Sequence, residues 1–165
     1  MNTKRRLQKA NSLHVQVIIA MFLACLIPLT GVFVLFVNNT KEQKKQELQK
    51  QVRELCIDFS NRIQNTGYLT NPAQAELSAA MNTAAQIFDG RILVVNSELQ
   101  IVKDTFAREE GKTMISEEVV QALQGKAMSY QLFYEDTTEI IVQIRDSLGK
   151  NVLGGVIFYL RKSGN

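Results

Sequence analysis

The sequence predicts an α+β protein. An N-terminal transmembrane helix runs into a long helix, and a second helix follows. A five-stranded antiparallel sheet closes the chain, with a short helix between strands two and three. Three observations predict this order. The run from Val15 to Val37 holds no charged residue, and only Gln16 and Thr30 in it are polar. Leu48, Val52, Leu55, Phe59 and Ile63 then recur at helical spacing. From Arg91 onward the apolar pattern shortens to strand-length runs set between polar turns.

At about 1.5 Å per residue the run Val15 to Val37 reaches roughly 35 Å, more than a hydrocarbon core of about 30 Å. A buried helix of a globular domain would show a polar stripe, and this run has none. It is too long for the apolar part of a signal peptide, and no small-residue cleavage site follows. Phe22 to Cys25 is a poor lipoprotein box, because Phe22 is too large and apolar sequence continues past Cys25. Charge divides around the run. Lys4, Arg5, Arg6 and Lys9 precede it, while all 16 acidic residues follow it with the remainder of the 19 basic ones. The apparent net charge of +3 is thus a basic tail on a nearly neutral domain, not a nucleic-acid footprint. Lys41, Lys44, Lys45 and Lys50 flank the other side, but Glu42 and Glu47 interleave them, and long domains translocate largely regardless of charge. The expected layout is a cytoplasmic tail at 1–14, a transmembrane helix at 15–37 and an extracytoplasmic domain at 38–160. Residues 161–165 form a membrane-proximal end. Cys25 lies in the span and Cys56 in the next helix, so no disulfide is expected.

Asn38 to Thr40 close the span, and no Pro or Gly separates it from the following helix, so the two can form one rod. Leu48, Val52, Leu55, Phe59 and Ile63 make a single apolar stripe. That stripe fits packing on the domain's own sheet, and its spacing also fits pairing with a second copy in a homodimer. Gly67 stops the helix. Asn71 is an N-cap for a second helix with Pro72 in its first turn, running to Asp89-Gly90 with a small-residue face set to lie against the first. RILVV, the turn Asn96 to Glu98 and LQIVKD make a hairpin. A loop leads to a short helix capped by Ser116 and left at Gly125. Three strands follow. Met128, Tyr130, Leu132 and Tyr134 share a face in the first. In the second, Ile140, Val142 and Ile144 oppose Ile141, Gln143 and Arg145. Asp146 to Lys150 turn into the last strand, where Gly154 and Gly155 predict a bulge or a close backbone approach. Both strand faces are partly apolar, so cover on both sides is expected.

The inventory argues against an enzyme. His14, the one histidine, sits at the membrane boundary, which removes Ser-His and Cys-His pairs. No cluster has metal-ligand spacing. Gly111-Lys112-Thr113 lacks the upstream glycine of a phosphate loop. No cofactor is expected.

The segments at 89–105 (DGRILVVNSELQIVKDT), at 111–130 (GKTMISEEVVQALQGKAMSY) and from Ile140 to Leu160 carry a resemblance. They look like the extracytoplasmic PAS-like sensor domain, called PDC or Cache, of bacterial membrane receptors, most of all two-component histidine kinases. Asp104-Thr105, Gly111-Lys112, Val120 to Leu123 and Gly125-Lys126 stand where that family has its recurring residues. The resemblance implies a sensor that passes a signal inward by helix displacement. It also implies a ligand on the sheet face under the loop and short helix, or else a partner protein; the ligand expected is a small anion or organic acid. Arg108, Tyr130, Tyr134 and Arg145 are the candidate lining residues. The competing reading of each, and the one its residue type favours, is a packed tyrosine or a solvated arginine. The end at Leu160-Arg161-Lys162 suggests a second span beyond it. A pilin-like subunit would need an acid within the apolar run, which is absent. An anchored accessory protein binding a partner through the sheet is the other reading.

Overall fold

The computed structural model describes residues 3–161, without the side chains of residues 3–14, Gln16, Val34 and Asn38. The side chains of the basic tail, His14 and the expected lead into a second span at 162–165 lie outside the described residues.

Helix α1 is Thr3–Thr66, unbroken through Asn38 to Thr40 and continuous past Pro28. It contributes to two compact units, 1–47 and 48–165. In the first unit one stretch is long and apolar enough to cross a membrane. Phe22, Ile27 and Phe36 there are 70%, 70% and 69% exposed. Thr30 turns its hydroxyl back onto the Ile27 carbonyl at 2.8 Å. Such internal bonding is what a polar group in hydrocarbon requires, and membrane helices tolerate proline where neighbouring groups resatisfy the backbone.

The second unit is an antiparallel sheet with cover on both faces. After α1 come α2 (Ala75–Ile87), β1 (Gly90–Asn96), β2 (Ile101–Asp104), α3 (Glu117–Gln124), β3 (Ser129–Phe133), β4 (Thr137–Arg145) and β5 (Val152–Arg161). The five strands lie in the order β2-β1-β5-β4-β3, and every neighbouring pair is antiparallel. Because strand side chains alternate, each strand serves two cores. Ile92, Val94, Ile140, Val142, Ile144, Val156, Phe158 and Leu160 pack under Val52, Cys56, Phe59 and Ile63 of α1 and Leu77, Met81 and Ala84 of α2. On the opposite face Leu93, Val95, Ile101, Ile141 and Ile157 lie under Met114, Val119, Ala122 and Leu123.

The α1 stripe therefore packs on the domain's own sheet. Val52, Phe59 and Ile63 are 0%, 2% and 0% exposed, Leu55 is partly buried, and Leu48 is 36% exposed. Burial also pushes the Cys56 thiol up to about 12. Gln64 Nε2 donates to Ser147 Oγ at 3.0 Å, so the C-terminal end of α1 meets the β4–β5 turn. Within this unit, the Leu48 end of the helix and the Arg161 end of β5 consequently lie toward the same side.

Two boundaries differ from expectation. Helix α2 starts at Ala75, behind a Gln74 N-cap that makes no side-chain cap bond. Asn71 instead accepts from Ala73 N at 3.4 Å, and Gln74 Nε2 donates to the Thr66 carbonyl at 2.8 Å, so the segment from Asn71 folds as a turn tied to α1. Strand β2 starts at Ile101, because Leu99 takes a left-handed φ of 63° and Asn96 Oδ1 accepts from Glu98 N and Gln100 N. The other punctuation holds. Gly67 ends α1 at φ 65°, and Ser116 Oγ caps α3 by accepting from Val119 N at 3.4 Å. A side chain at Gly154 would strike the Val95 carbonyl, which is the close approach its position predicts.

Candidate functional site

The face under α3 carries the buried polar groups Asp104, Glu139 and Gln143, at 0%, 2% and 0% exposure. Each has a distinct task. Asp104 ends β2 and organises the loop behind it. Its carboxylate takes Arg91 Nε at 2.9 Å and Nη2 at 2.7 Å. It also accepts the backbone N–H groups of Phe106, Arg108 and Glu109 at 2.9, 2.8 and 3.0 Å. Burial alone would raise its pKa. The Arg91 bonds and the three N–H donors outweigh that and hold the carboxyl well below the usual range. Thr105 continues the clasp, because its N–H donates to the Ile92 carbonyl and its Oγ1 accepts from Ile92 N, both at 3.0 Å. The Asp-Thr pair is thus the pin of the loop. Arg91 also reaches Glu109 Oε2 at 3.0 Å.

Gln143 seats α3. Its Nε2 donates to the carbonyls of Ala122 and Gly125 at 2.8 and 3.0 Å. Arg145 Nε donates to Gln143 Oε1 at 2.8 Å, and Arg145 Nη2 to the Lys126 carbonyl at 2.9 Å. Tyr130 lies against Gly125, where a Cβ would collide with its hydroxyl, and that hydroxyl accepts from Ala127 N at 3.1 Å.

Glu139 stands toward the other end of the same face. It pairs with Leu132 on β3 and Tyr159 on β5. Burial pushes its pKa up, hydrogen bonds from Tyr159 and Tyr134 oppose this, and the Glu118 charge on α3 adds to the rise. Burial and the Glu139 charge likewise raise both tyrosines. Glu139 Oε1 has no hydrogen-bond partner. An open groove of about 800 Å³ runs along the rim of the sheet, lined by Tyr159, Thr137, Arg91, Phe106 and Arg161 among others.

The four residues expected to line a ligand site occupy three places. Tyr130 and Arg145 meet at the exit of α3 and hold it down. Tyr134 joins Glu139. Arg108 lies in the loop with its guanidinium 5.7 Å from the Phe106 ring centre, while Arg91 lies 5.5 Å from the same ring. The sequence offers Asp104 through the Asp104-Thr105 pair but does not single out Glu139 or Tyr159. The alternation that puts Ile141, Gln143 and Arg145 on one face extends back to Glu139, and that was the available signal.

No protein-family model matches the sequence, and no curated protein matches it. Among solved structures, the crystal structure of the Escherichia coli DcuS sensor domain superposes with a TM-score of 0.50 at 13% identity, over 70% of this chain and 92% of that one. At that identity the likeness concerns the fold, and the fold it shows is the PAS-like sheet of a sensor domain, with helices over one face and a loop and short helix over the other.

Proposed function

We propose that this chain is the membrane-anchored, extracytoplasmic sensor portion of a bacterial signal-transduction receptor of the sensor histidine kinase type. The observation that carries the reading is the shared fold with a known sensor domain, joined through α1 to a stretch of membrane-spanning length. The polar face under α3 receives the signal. The helix-covered face transmits it, because α1 both packs on that face and continues into the apolar stretch. A ligand favouring one arrangement of α3 and its loop would shift the sheet and displace α1 against β5. The basic tail lies in the cytoplasm and the domain outside. The protein works as a homodimer, since displacement of one helix needs a second to move against. The sheet residues do no chemistry and hold no cofactor.

The test is a chimera in which residues 1–161 replace the sensor and first span of a reporter receptor kinase. Output that varies with pH or with small organic anions and cations in the medium supports the reading. Constant output from a chimera that reaches the membrane overturns it.

A further inference from the structure

We infer that the α3-covered face takes a cationic, N–H-donating ligand of the organic ammonium class, with the Glu139 carboxyl as its counter-charge. The inference rests on the sensor reading above and adds the class of the ligand. It starts from an oxygen without a partner. Glu139 is 2% exposed, yet its Oε1 accepts no hydrogen bond. Buried acceptors in folded proteins are overwhelmingly satisfied, so this one points to a donor that arrives from outside. An ionised or a neutral carboxyl at this position accepts from an ammonium N–H equally well in geometry, and the ionised form adds charge attraction.

The surroundings select the sign of the ligand. The groups facing Glu139 are Tyr134 just past β3, Tyr159 from β5 and Glu118 from α3, two phenols and a second acid. Tyrosine faces and carboxylates together suit an ammonium group. An anion at Glu139 would need a free cation among the groups that face it, and those groups are two phenols and an acid, while the nearest arginines along the sheet are committed. Arg91 is held by Asp104 and Glu109. Arg145 is spent on Gln143 and on the Lys126 and Gly149 carbonyls. The rim groove has Tyr159 in its wall, the residue that hydrogen-bonds to Glu139, and entry by a ligand would require Tyr159 to move aside. Arg161 and Asp89 line the groove as well. The small anion expected from the sequence is therefore the poorer fit beside Glu139.

The experiment uses the full chain in neutral phosphatidylcholine nanodiscs. Its thermal midpoint is read with methylammonium, 1,4-diaminobutane or tetramethylammonium chloride, and with sodium acetate or succinate. At saturation an N–H-bearing ammonium raises the midpoint by about 4 °C. Tetramethylammonium, without an N–H, raises it less, and the carboxylates leave it unchanged. Glu139→Gln weakens ammonium binding at least tenfold. Should that variant fold poorly, Glu118→Gln weakens binding a few-fold without touching the core. A flat response to every ammonium salt overturns the inference, as does an equal response in Glu139→Gln. A response to succinate alone overturns the charge assignment and leaves the sensor reading standing. A midpoint that follows pH but no amine overturns it too, and assigns the proton itself to Glu139. The chimera judges the sensor reading separately.

Discussion

The two faces of the sheet are built from the same strands and covered by different chemistry. Under α1 and α2 the contacts are hydrocarbon: Ile140, Val142 and Ile144 of β4 meet Val52, Phe59 and Ile63. The buried polar group that α1 brings there is Ser60, and its hydroxyl donates to the Gln143 carbonyl at 2.8 Å. One residue out of phase on the same strand, Glu139, Ile141 and Gln143 face α3. There apolar residues alternate with a carboxyl and an amide, and the cover is a loop pinned by Asp104 and a helix of two turns seated by Gln143. Dispersion and burial act without direction, so the first face holds α1 in place through any small shift. Hydrogen bonds are directional and fail at once when a partner moves. In the proposed sensor, the first face would transmit and the second respond.

The largest expected difference lies in the hydrocarbon face. Phe59→Ala removes a fully buried ring between helix and sheet and should cost about 3–5 kcal/mol. Urea unfolding of the full chain in nanodiscs measures it. A loss below about 1 kcal/mol would mean that the helix is not docked there. Next is the pin of the other face. Asp104→Ala strands Arg91 and three N–H groups, and should cost about 3 kcal/mol. Its pH signature has a definite sign. A carboxyl whose folded pKa is depressed contributes stability above its unfolded value of about 4, and loses it as pH falls further. The wild type should therefore weaken below about pH 4 while Asp104→Asn weakens less over that window. Parallel curves would mean that the loop is held by something other than this carboxylate.

Smaller again is the cap of α3. Ser116→Ala removes the acceptor for Val119 N and should cost about 1 kcal/mol. Because α3 covers the responsive face alone, that loss should raise hydrogen exchange in α3 and the β2–α3 loop and leave α1 unchanged. Exchange rising equally in both would show the two faces to be one cooperative unit.

The helix-covered face was legible in the sequence because its signals are local and periodic. Spacings of three and four put Val52, Phe59 and Ile63 on one stripe, and alternation put Ile140, Val142 and Ile144 on one side of a strand. The turns were legible through Gly67 and through Asp146, which accepts from Lys150 N and Asn151 Nδ2. The start of α2 was not, because Asn71-Pro72 is an equally good turn and the Gln74 bond to Thr66 is tertiary. The polar face resisted for the same reason. Arg145 and Tyr130 carry binding-type side chains, yet carbonyls and an amide nitrogen at the exit of α3 engage them. Asp104 and Arg91 are thirteen residues apart, and nothing in the spacing announces the pair.

The smallest expected effect tests the comparison most directly, because its sign is opposite to that of Asp104. Burial holds the Glu139 carboxyl above its ordinary value, with the Glu118 charge adding to the rise. A group whose folded pKa is raised contributes stability that is complete below its unfolded value of about 4.3, and that is lost as pH rises through the folded value. Glu139→Gln keeps the shape and removes the titration. Between the ordinary glutamate range and neutrality the variant should lose less stability than the wild type, and above the raised pKa it should be the more stable by up to about 1 kcal/mol. Urea midpoints of the two full chains in nanodiscs from pH 4 to 8 measure the difference. A variant that tracks the wild type across that range would mean that the carboxyl is solvated like any surface acid. The α3-covered face would then be a second structural core with a polar rim, and the contrast between the two faces would shrink to the pinned loop.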